Sequence, residues 1–322
     1  MNPISSTKII NGTKAFVRCD LDVPVENGEI KETYRLHAIL PTLILLKNSN
    51  ANIIIAGHMG KPKGRSTPSL STKVLLPFFN KHLGEGGFEL LENLRFDPGE
   101  EANDPTYAKE LAAKAEIYIN ESFATSHREH ASIVGIPKYL PSFAGNRLVL
   151  EVATLSEVRD NPKKPLVTII GGAKLESKLP VVNKFLEISD AVLIGGKLGL
   201  EWKGSIPDNM YLPKDYAPGS QDIGFQTIKI FSDIIKNAKT IIWAGPMGAY
   251  ENEAFIKGTK EIAEAVIASQ AYKVVGGGDT LNALDKFGYL DKFSFVSTGG
   301  GAMLEFLAKG TLPGLGVLGY QC

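Results

Sequence analysis

Cysteine is nearly missing from this 322-residue chain: the 2 it has, Cys19 and Cys322, lie a chain-length apart. That excludes a disulfide framework and a cysteine-built metal knuckle, and it fits a reduced compartment. An excess of one charge is missing too. Lys+Arg 35 balance Asp+Glu 35, evenly over the two halves, which argues against a nucleic-acid binder or a membrane-surface protein. No apolar run reaches the roughly 18–20 residues of a membrane span, and the opening MNPISSTKIINGTK lacks the apolar core of a secretory signal. The expectation is a cytoplasmic protein with small-molecule ligands, bound to neither nucleic acid nor membrane. In that setting the triplets Asn11-Gly12-Thr13 and Asn120-Glu121-Ser122 match the glycosylation pattern by chance.

What is present suits large cores. Hydrophobic residues make up 43% of the chain, and its length favours two domains of roughly 150 residues each. Short β-branched runs at 14–18, 52–56, 117–120, 166–170, 191–194, 240–243, 272–275 and 293–297 read as strands. Amphipathic stretches near 35–47, 71–82, 104–115, 175–188, 226–236, 259–269, 279–287 and 301–308 read as helices. Buried runs alternating with helices predict α/β architecture with parallel sheets. The helical segment RLVLEVATLSEVRD ends in Asn161-Pro162-Lys163-Lys164-Pro165, where two prolines stop it before a new strand. We therefore expect a first domain over 1–147, a hinge over 148–165 and a second domain over 166–307. Residues 202–224 carry no clear period and read as a lid or the scar of a deletion.

Glycines cluster at strand ends in the second half: 171–172, 195–196, 245–248, 276–278 and 299–301. Glycine lets backbone N–H groups approach a phosphate closely, and a helix N-terminus adds partial positive charge. One such cluster is ordinary at a strand–helix turn; five at one sheet edge point to a nucleotide. There is no GxxxxGK[ST], and the GxGxxG at Gly314, Gly316 and Gly319 has no helix to follow, so neither common signature applies. In the first half, Arg18, Arg35, His58, Lys61, Arg95 and Arg128 recur just after strands or at a helix start. Cations converging on one edge favour a small phosphorylated anion. His37 and His82 sit within helix patterns and read as structural. No Ser-His-Asp set or zinc spacing competes, which leaves phosphoryl transfer, a reaction that needs positioning and charge neutralisation.

The ordered motifs VRCDLDVP (17–24), YRLHAILPT (34–42), GHMGKPKG (57–64), LLENLRFDPGEE (90–101), HREHAS (127–132), GGAKLESK (171–178), WAGPMGAYE (243–251), GGGDT (276–280) and STGGGAMLEFL (297–307) resemble the phosphoglycerate kinases over nearly the whole chain. The resemblance implies reversible phosphoryl transfer between ATP and the carboxylate of 3-phosphoglycerate, with Mg²⁺, in a monomer of two Rossmann-like domains joined by a hinge helix. It assigns the phosphoglycerate site to Arg18, Asp20, Leu21, Asp22, Arg35, His58, Met59, Gly60, Lys61, Arg95 and Arg128. It assigns the nucleotide site to Gly172, Lys174, Lys178, Gly195, Gly196, Gly248, Glu251, Gly277, Gly278, Asp279 and Thr280. Arg35 and Lys174 would stabilise the group in flight, Asp279 would hold the metal, and 308–322 would return to the first domain.

The chain also departs from the family pattern. It is shorter, with gaps before LLENLRF and between Gly196 and Asp222. Lys197, Ala244, Ser177, Asp22 and Lys61 replace the residues the pattern favours at their positions. Two other readings therefore stand beside a kinase: a non-catalytic paralogue that binds phosphoglycerate or nucleotide, and a kinase for a related small carboxylate.

Overall fold

The computed structural model describes residues 1–172 and 175–321, and over 175–178 the backbone alone. The chain divides into two units, one of Met1–Ala153 with Lys309–Cys322 and one of Thr154–Ala308. The division falls within the helix Asn146–Asp160.

The first unit is built on a five-stranded parallel sheet. Its strands are β1 (Lys14–Arg18), β4 (Asn52–Ala56), β5 (Phe88–Leu90), β6 (Ile117–Asn120) and β7 (Ser142–Ala144), in the order β5-β4-β1-β6-β7. A small antiparallel hairpin, β2 (Val25–Glu26) with β3 (Glu29–Ile30), stands apart from it. Phe16, Val17, Ile53, Ile55, Tyr118 and Ile119 are buried whichever way they point, as expected of a parallel sheet covered on both faces. The helix Tyr34–Asn48 presents Leu36, Ile39, Leu40, Leu43 and Leu46 to the core, the spacing of a helical stripe. Residues 309–321 belong to this unit. Gly314 N–H donates to the Ser126 carbonyl at 2.8 Å, and a Cβ there would meet Ile133 Cγ2 at 2.8 Å. The first glycine of the GxGxxG is thus a packing glycine.

The second unit holds a six-stranded parallel sheet of β8 (Leu166–Ile170), β9 (Ala191–Ile194), β10 (Met210–Tyr211), β11 (Thr240–Ala244), β12 (Tyr272–Gly276) and β13 (Phe295–Ser297), in the order β10-β9-β8-β11-β12-β13. Every residue of β8, β9 and β11 is buried. The helices Phe225–Lys236 and Lys257–Ala268 pack together.

The eight strands read from sequence are all present, with ends moved by a residue or two. Three short edge strands, β5, β7 and β10, were not read, because two or three residues carry no period. The helix expected over 71–82 begins only at Leu76: Pro77 fits the first turn of an α-helix, and a tighter 3₁₀ turn, Thr72–Leu75, precedes it. Residues 202–224 are organised by carboxylates rather than by periodicity. Asp215 accepts from the N–H groups of Gln226 and Thr227, and so caps the helix Phe225–Lys236 from a distance in sequence.

Candidate active site

Parallel register decides what meets at the first sheet's carboxyl edge. Arg18 ends β1 level with Ala56 of β4 and Asn120 of β6. The segments that follow, 19–22, 57–61 and 121–132, therefore leave the sheet side by side. A Cβ on Gly57 would stand 2.6 Å from Leu21 Cγ, so only glycine lets the first two run together.

Arg18 is fully buried, and each of its three nitrogens makes a hydrogen bond within the protein. Nε donates to Ser132 Oγ at 2.8 Å, Nη1 to the Cys19 carbonyl at 2.5 Å and Nη2 to His58 Nδ1 at 3.0 Å. A guanidinium cannot accept, so His58 Nδ1 is the acceptor and the ring proton sits on Nε2, 3.8 Å from Asp22 Oδ2. Burial first, then Arg18 and Arg95, hold the His58 pKa well below the ordinary range, so the ring is neutral.

Asp22 is tied down on both sides. Its Oδ1 accepts from Gly60 N–H at 2.8 Å and its carbonyl from Arg35 Nη1 at 2.5 Å. Arg95 donates to the Gly60 carbonyl at 2.9 Å, and Asn93 Nδ2 to the Met59 carbonyl at 2.7 Å. Gly60 takes φ +60 at this turn. Leu21 and Met59 are core residues here; they shape the loops from beneath. Asp20 is buried, and Arg35 Nε approaches its Oδ2 to 3.6 Å. Burial raises the Asp20 pKa against the lowering pull of Arg35, while Asp20 raises that of Arg35. Lys61 and Arg128 are exposed, with no ion pair to a described residue. The edge thus gathers Asp20, Asp22, Arg35, His58 and Arg95, with Arg18 beneath them.

In the second unit Ile194, Ile170, Ala244, Gly276 and Ser297 end their strands level across the sheet. The turns beyond them pack backbone on backbone. A Cβ on Gly171 would meet the Pro246 carbonyl at 2.1 Å, and one on Gly300 would meet Gly277 Cα at 2.2 Å. Gly172 donates to the Pro246 carbonyl at 2.9 Å and Gly196 to that of Met247 at 3.0 Å, while Gly195 donates back to Ile170 at 2.9 Å. Gly277 and Gly278 open the helix Gly278–Lys286, whose exposed Asp279 lies in its first turn. Glu251 is also exposed. Lys174 and the side chains of Ser177 and Lys178 fall outside the described residues.

Hydroxyls fix the WAGPMG turn. Thr280 Oγ1 accepts from Gly245 N–H at 2.7 Å, and Thr259 Oγ1 from Met247 N–H at 3.0 Å and Gly248 N–H at 3.3 Å. A Cβ on Gly248 would stand 2.2 Å from Asp222 Oδ1. Asp222, raised to about 6 by burial, accepts from Gly258 N–H at 2.6 Å. Lys197 forms a surface pair with Glu201 at 3.3 Å, and Ala244 ends β11 as a buried core residue. Sequence reading missed the supporting groups Glu100, Asn93, Thr259 and Asp222. Two of them, Glu100 and Asn93, lie inside the quoted LLENLRFDPGEE motif, but only the fold shows what they hold.

Among the described residues no three His, Cys, Asp or Glu side chains converge on a metal position. Mg²⁺ does not ask for that: it is commonly held by one or two carboxylates with substrate phosphates and water. An exposed Asp279 beside glycine-lined turns fits that donor set.

Comparison with known proteins agrees across the chain. A family model described as Phosphoglycerate kinase matches residues 6–85, 78–203 and 207–310. The phosphoglycerate kinase of Leptospira biflexa serovar Patoc is 36% identical, over 97% of this chain and 97% of its own. That of Finegoldia magna is 34% identical, over 95% and 96%. The alignment to the Leptospira protein spans 384 positions against a chain of 322, so the relative carries segments missing here. Among solved structures, phosphoglycerate kinase from Coxiella burnetii superposes with a TM-score of 0.79 at 31% identity, covering 98% of each chain. That from Pyrococcus horikoshii OT3 gives 0.85 at 28%, covering 99% and 98%. These matches place the protein among the ATP-dependent phosphotransferases. The chain belongs to the phosphoglycerate kinase family. Its reaction is the glycolytic exchange of a phosphoryl group between ATP and the carboxylate of 3-phosphoglycerate.

Proposed function

We propose that the two sheet edges divide this reaction, phosphoglycerate at the first and nucleotide at the second. The observation that carries the first half is the gathering of Arg35, His58 and Arg95 around Asp20 and Asp22 on one edge. Arg35 and Arg95 offer cations to a phosphorylated acid, joined by the exposed Lys61 and Arg128. Asp20, with neither oxygen hydrogen-bonded to a described residue, is a ready acceptor for a substrate hydroxyl. The substrate carboxylate has a pKa near ~4 and is ionised at neutral pH, so no general base is required. Arg35 cancels charge on the transferring group, with Lys174 and Lys178 its counterparts on the nucleotide side.

The glycine turns of the second unit suit the phosphates of ATP, with Gly172, Gly195, Gly196, Gly248, Gly277 and Gly278 permitting close approach, and Glu251 would hold the ribose. The Thr280 hydroxyl accepts from Gly245 and keeps its own hydrogen to give to a phosphate oxygen. Asp279 would hold Mg²⁺, which when bound neutralises phosphate charge. The segment 148–165 would act as the hinge between domains 1–147 and 166–307, and closure would shield the acyl phosphate from water. A monomer in the cytoplasm suits the balanced charge, and among the described residues no helix is long and apolar enough to cross a membrane.

The test is NADH oxidation coupled through glyceraldehyde-3-phosphate dehydrogenase, with ATP, Mg²⁺ and 3-phosphoglycerate. The protein should turn over, and Arg35→Ala and Asp279→Ala should each abolish turnover while leaving the fold intact. Activity that survived both changes would overturn these assignments.

A further inference from the structure

Glu100 lies fully buried in the short helix Pro98–Glu101, and the phosphoryl-transfer chemistry gives it no task. Its two oxygens accept from Ser132, Oε2 from the backbone N–H at 2.9 Å and Oε1 from the hydroxyl at 2.5 Å. The same hydroxyl oxygen accepts from Arg18 Nε at 2.8 Å. The direction of every bond in this chain is forced. Arg18 can only donate and both Glu100 oxygens are accepting, so Ser132 gives its hydrogen to Glu100 and a lone pair to Arg18. Arg18 then gives a hydrogen to His58 Nδ1 at 3.0 Å, and the His58 proton is left on Nε2.

We propose that Glu100 is a positioning residue for the known reaction: through Ser132 it holds Arg18 where the guanidinium Nη2 fixes His58 in the Nε2–H form, so that the ring presents a neutral N–H donor to the anionic substrate. This rests on the reading of the first sheet edge as the phosphoglycerate site.

Two physical points support it. A neutral imidazole left to itself divides between two tautomers, and the wrong one would turn a bare nitrogen toward an oxyanion. Arg18 is also a buried cation, which needs a nearby negative group; Glu100, one hydroxyl away, is the carboxylate its hydrogen bonds lead to. The neighbouring His130 does not neutralise Glu100. Its Nδ1 stands 3.8 Å off, and burial, then Arg95 and Arg18, drive its pKa down to about 3, so it stays uncharged. Glutamine at position 100 has one acceptor oxygen for two donors. Its amide would face either the Ser132 N–H or the Ser132 hydroxyl, so one of the two bonds that hold Ser132 is lost or reversed either way.

The experiment compares wild type, Glu100→Gln, Ser132→Ala and His58→Ala. It reads KM for 3-phosphoglycerate and for ATP in the coupled assay, and the ring-nitrogen signals of ¹⁵N-histidine-labelled protein, which report the tautomer directly. Wild-type His58 should show a bare Nδ1 and a protonated Nε2. Glu100→Gln and Ser132→Ala should each mix the tautomers and raise the phosphoglycerate KM about tenfold or more, with the ATP KM unchanged. Because the two act in series, the double variant should cost no more than either single one. Wild-type His58 protonated on Nδ1 would overturn the proposal whether or not the variants fold. So would Ser132→Ala with an unaltered tautomer and KM, since that change removes one hydroxyl alone. If His58→Ala itself leaves the phosphoglycerate KM unchanged, the reading of the site falls; if His58→Ala raises it and the other two do not, only the relay falls.

Discussion

Arg35 Nε stands 3.6 Å from Oδ2 of Asp20, a buried carboxylate with neither oxygen hydrogen-bonded to a described residue. The two charges attract across a gap too long for a hydrogen bond, while Arg35 Nη1 is bonded to the Asp22 carbonyl. Arg35 keeps donors for a ligand and Asp20 keeps acceptors, and neither is spent on the other. Truncation to alanine should therefore hurt more than loss of one ion pair would suggest. We expect Arg35→Ala to lower turnover on the order of 10³-fold or more, with Arg35→Lys recovering part of it. Steady-state kinetics at saturating phosphoglycerate measure this, and a loss smaller than about tenfold would remove Arg35 from the transfer step.

Asp22 predicts a gain. Its Oδ1 anchors Gly60 N–H, a task an amide oxygen performs equally well, while its charge sits beside the proposed anion site. Asp22→Asn should keep the loop and lower the phosphoglycerate KM several-fold, an effect of about 1 kcal/mol. The improvement should shrink as salt is added. A higher KM would show that the charge is needed where it is.

Gly300 offers a test of the nucleotide side. A Cβ there would stand 2.2 Å from Gly277 Cα, and backbone cannot swing aside as a side chain can. Gly300→Ala should push the two turns apart, costing about 1–3 kcal/mol of stability. It should also raise the ATP KM while sparing that of phosphoglycerate. Equal damage to both constants would mean the change acts through global unfolding.

Glu121 carries a pH signature. Burial pushes its carboxyl up to about 7, against the lowering effect of the Thr42 hydroxyl and of the Arg147 and Leu148 N–H groups. The folded chain therefore holds a proton that the unfolded chain has released. The stability this contributes is complete below the ordinary glutamate range and is lost as pH rises through about 7. Glutamine cannot titrate. Between about pH 5 and pH 8, Glu121→Gln should gain on wild type by up to about 3 kcal/mol in urea unfolding. A constant difference across that range would place the folded carboxyl at its ordinary value.

Much of this was legible in the residues. β8, Leu166–Ile170, announces itself because a strand covered on both faces must be apolar throughout. Gly171 and Gly277 announce turns because nothing else fits them. The legible part is what local chemistry dictates. The Thr280 hydroxyl on Gly245 and Glu100 on Ser132 join residues 35 and 32 positions apart. No period or spacing encodes such a bond; only the packing of the strands between them sets it. Residues 202–224 were illegible for a related reason. Asp215 and Asp222 bind backbone N–H groups well beyond themselves in the sequence, so the order there comes from hydrogen bonds that amphipathic patterns do not reveal.

The return of residues 309–321 to the first unit has a consequence for how the chain is made. Gly314 bonds to Ser126, and Leu312 and Leu315 are buried in a unit whose first strand is translated nearly three hundred residues earlier. During synthesis the second unit, Thr154–Ala308, is complete before that final piece emerges. The unit that carries Arg35 thus gains residues 309–321 only after Thr154–Ala308 has been made.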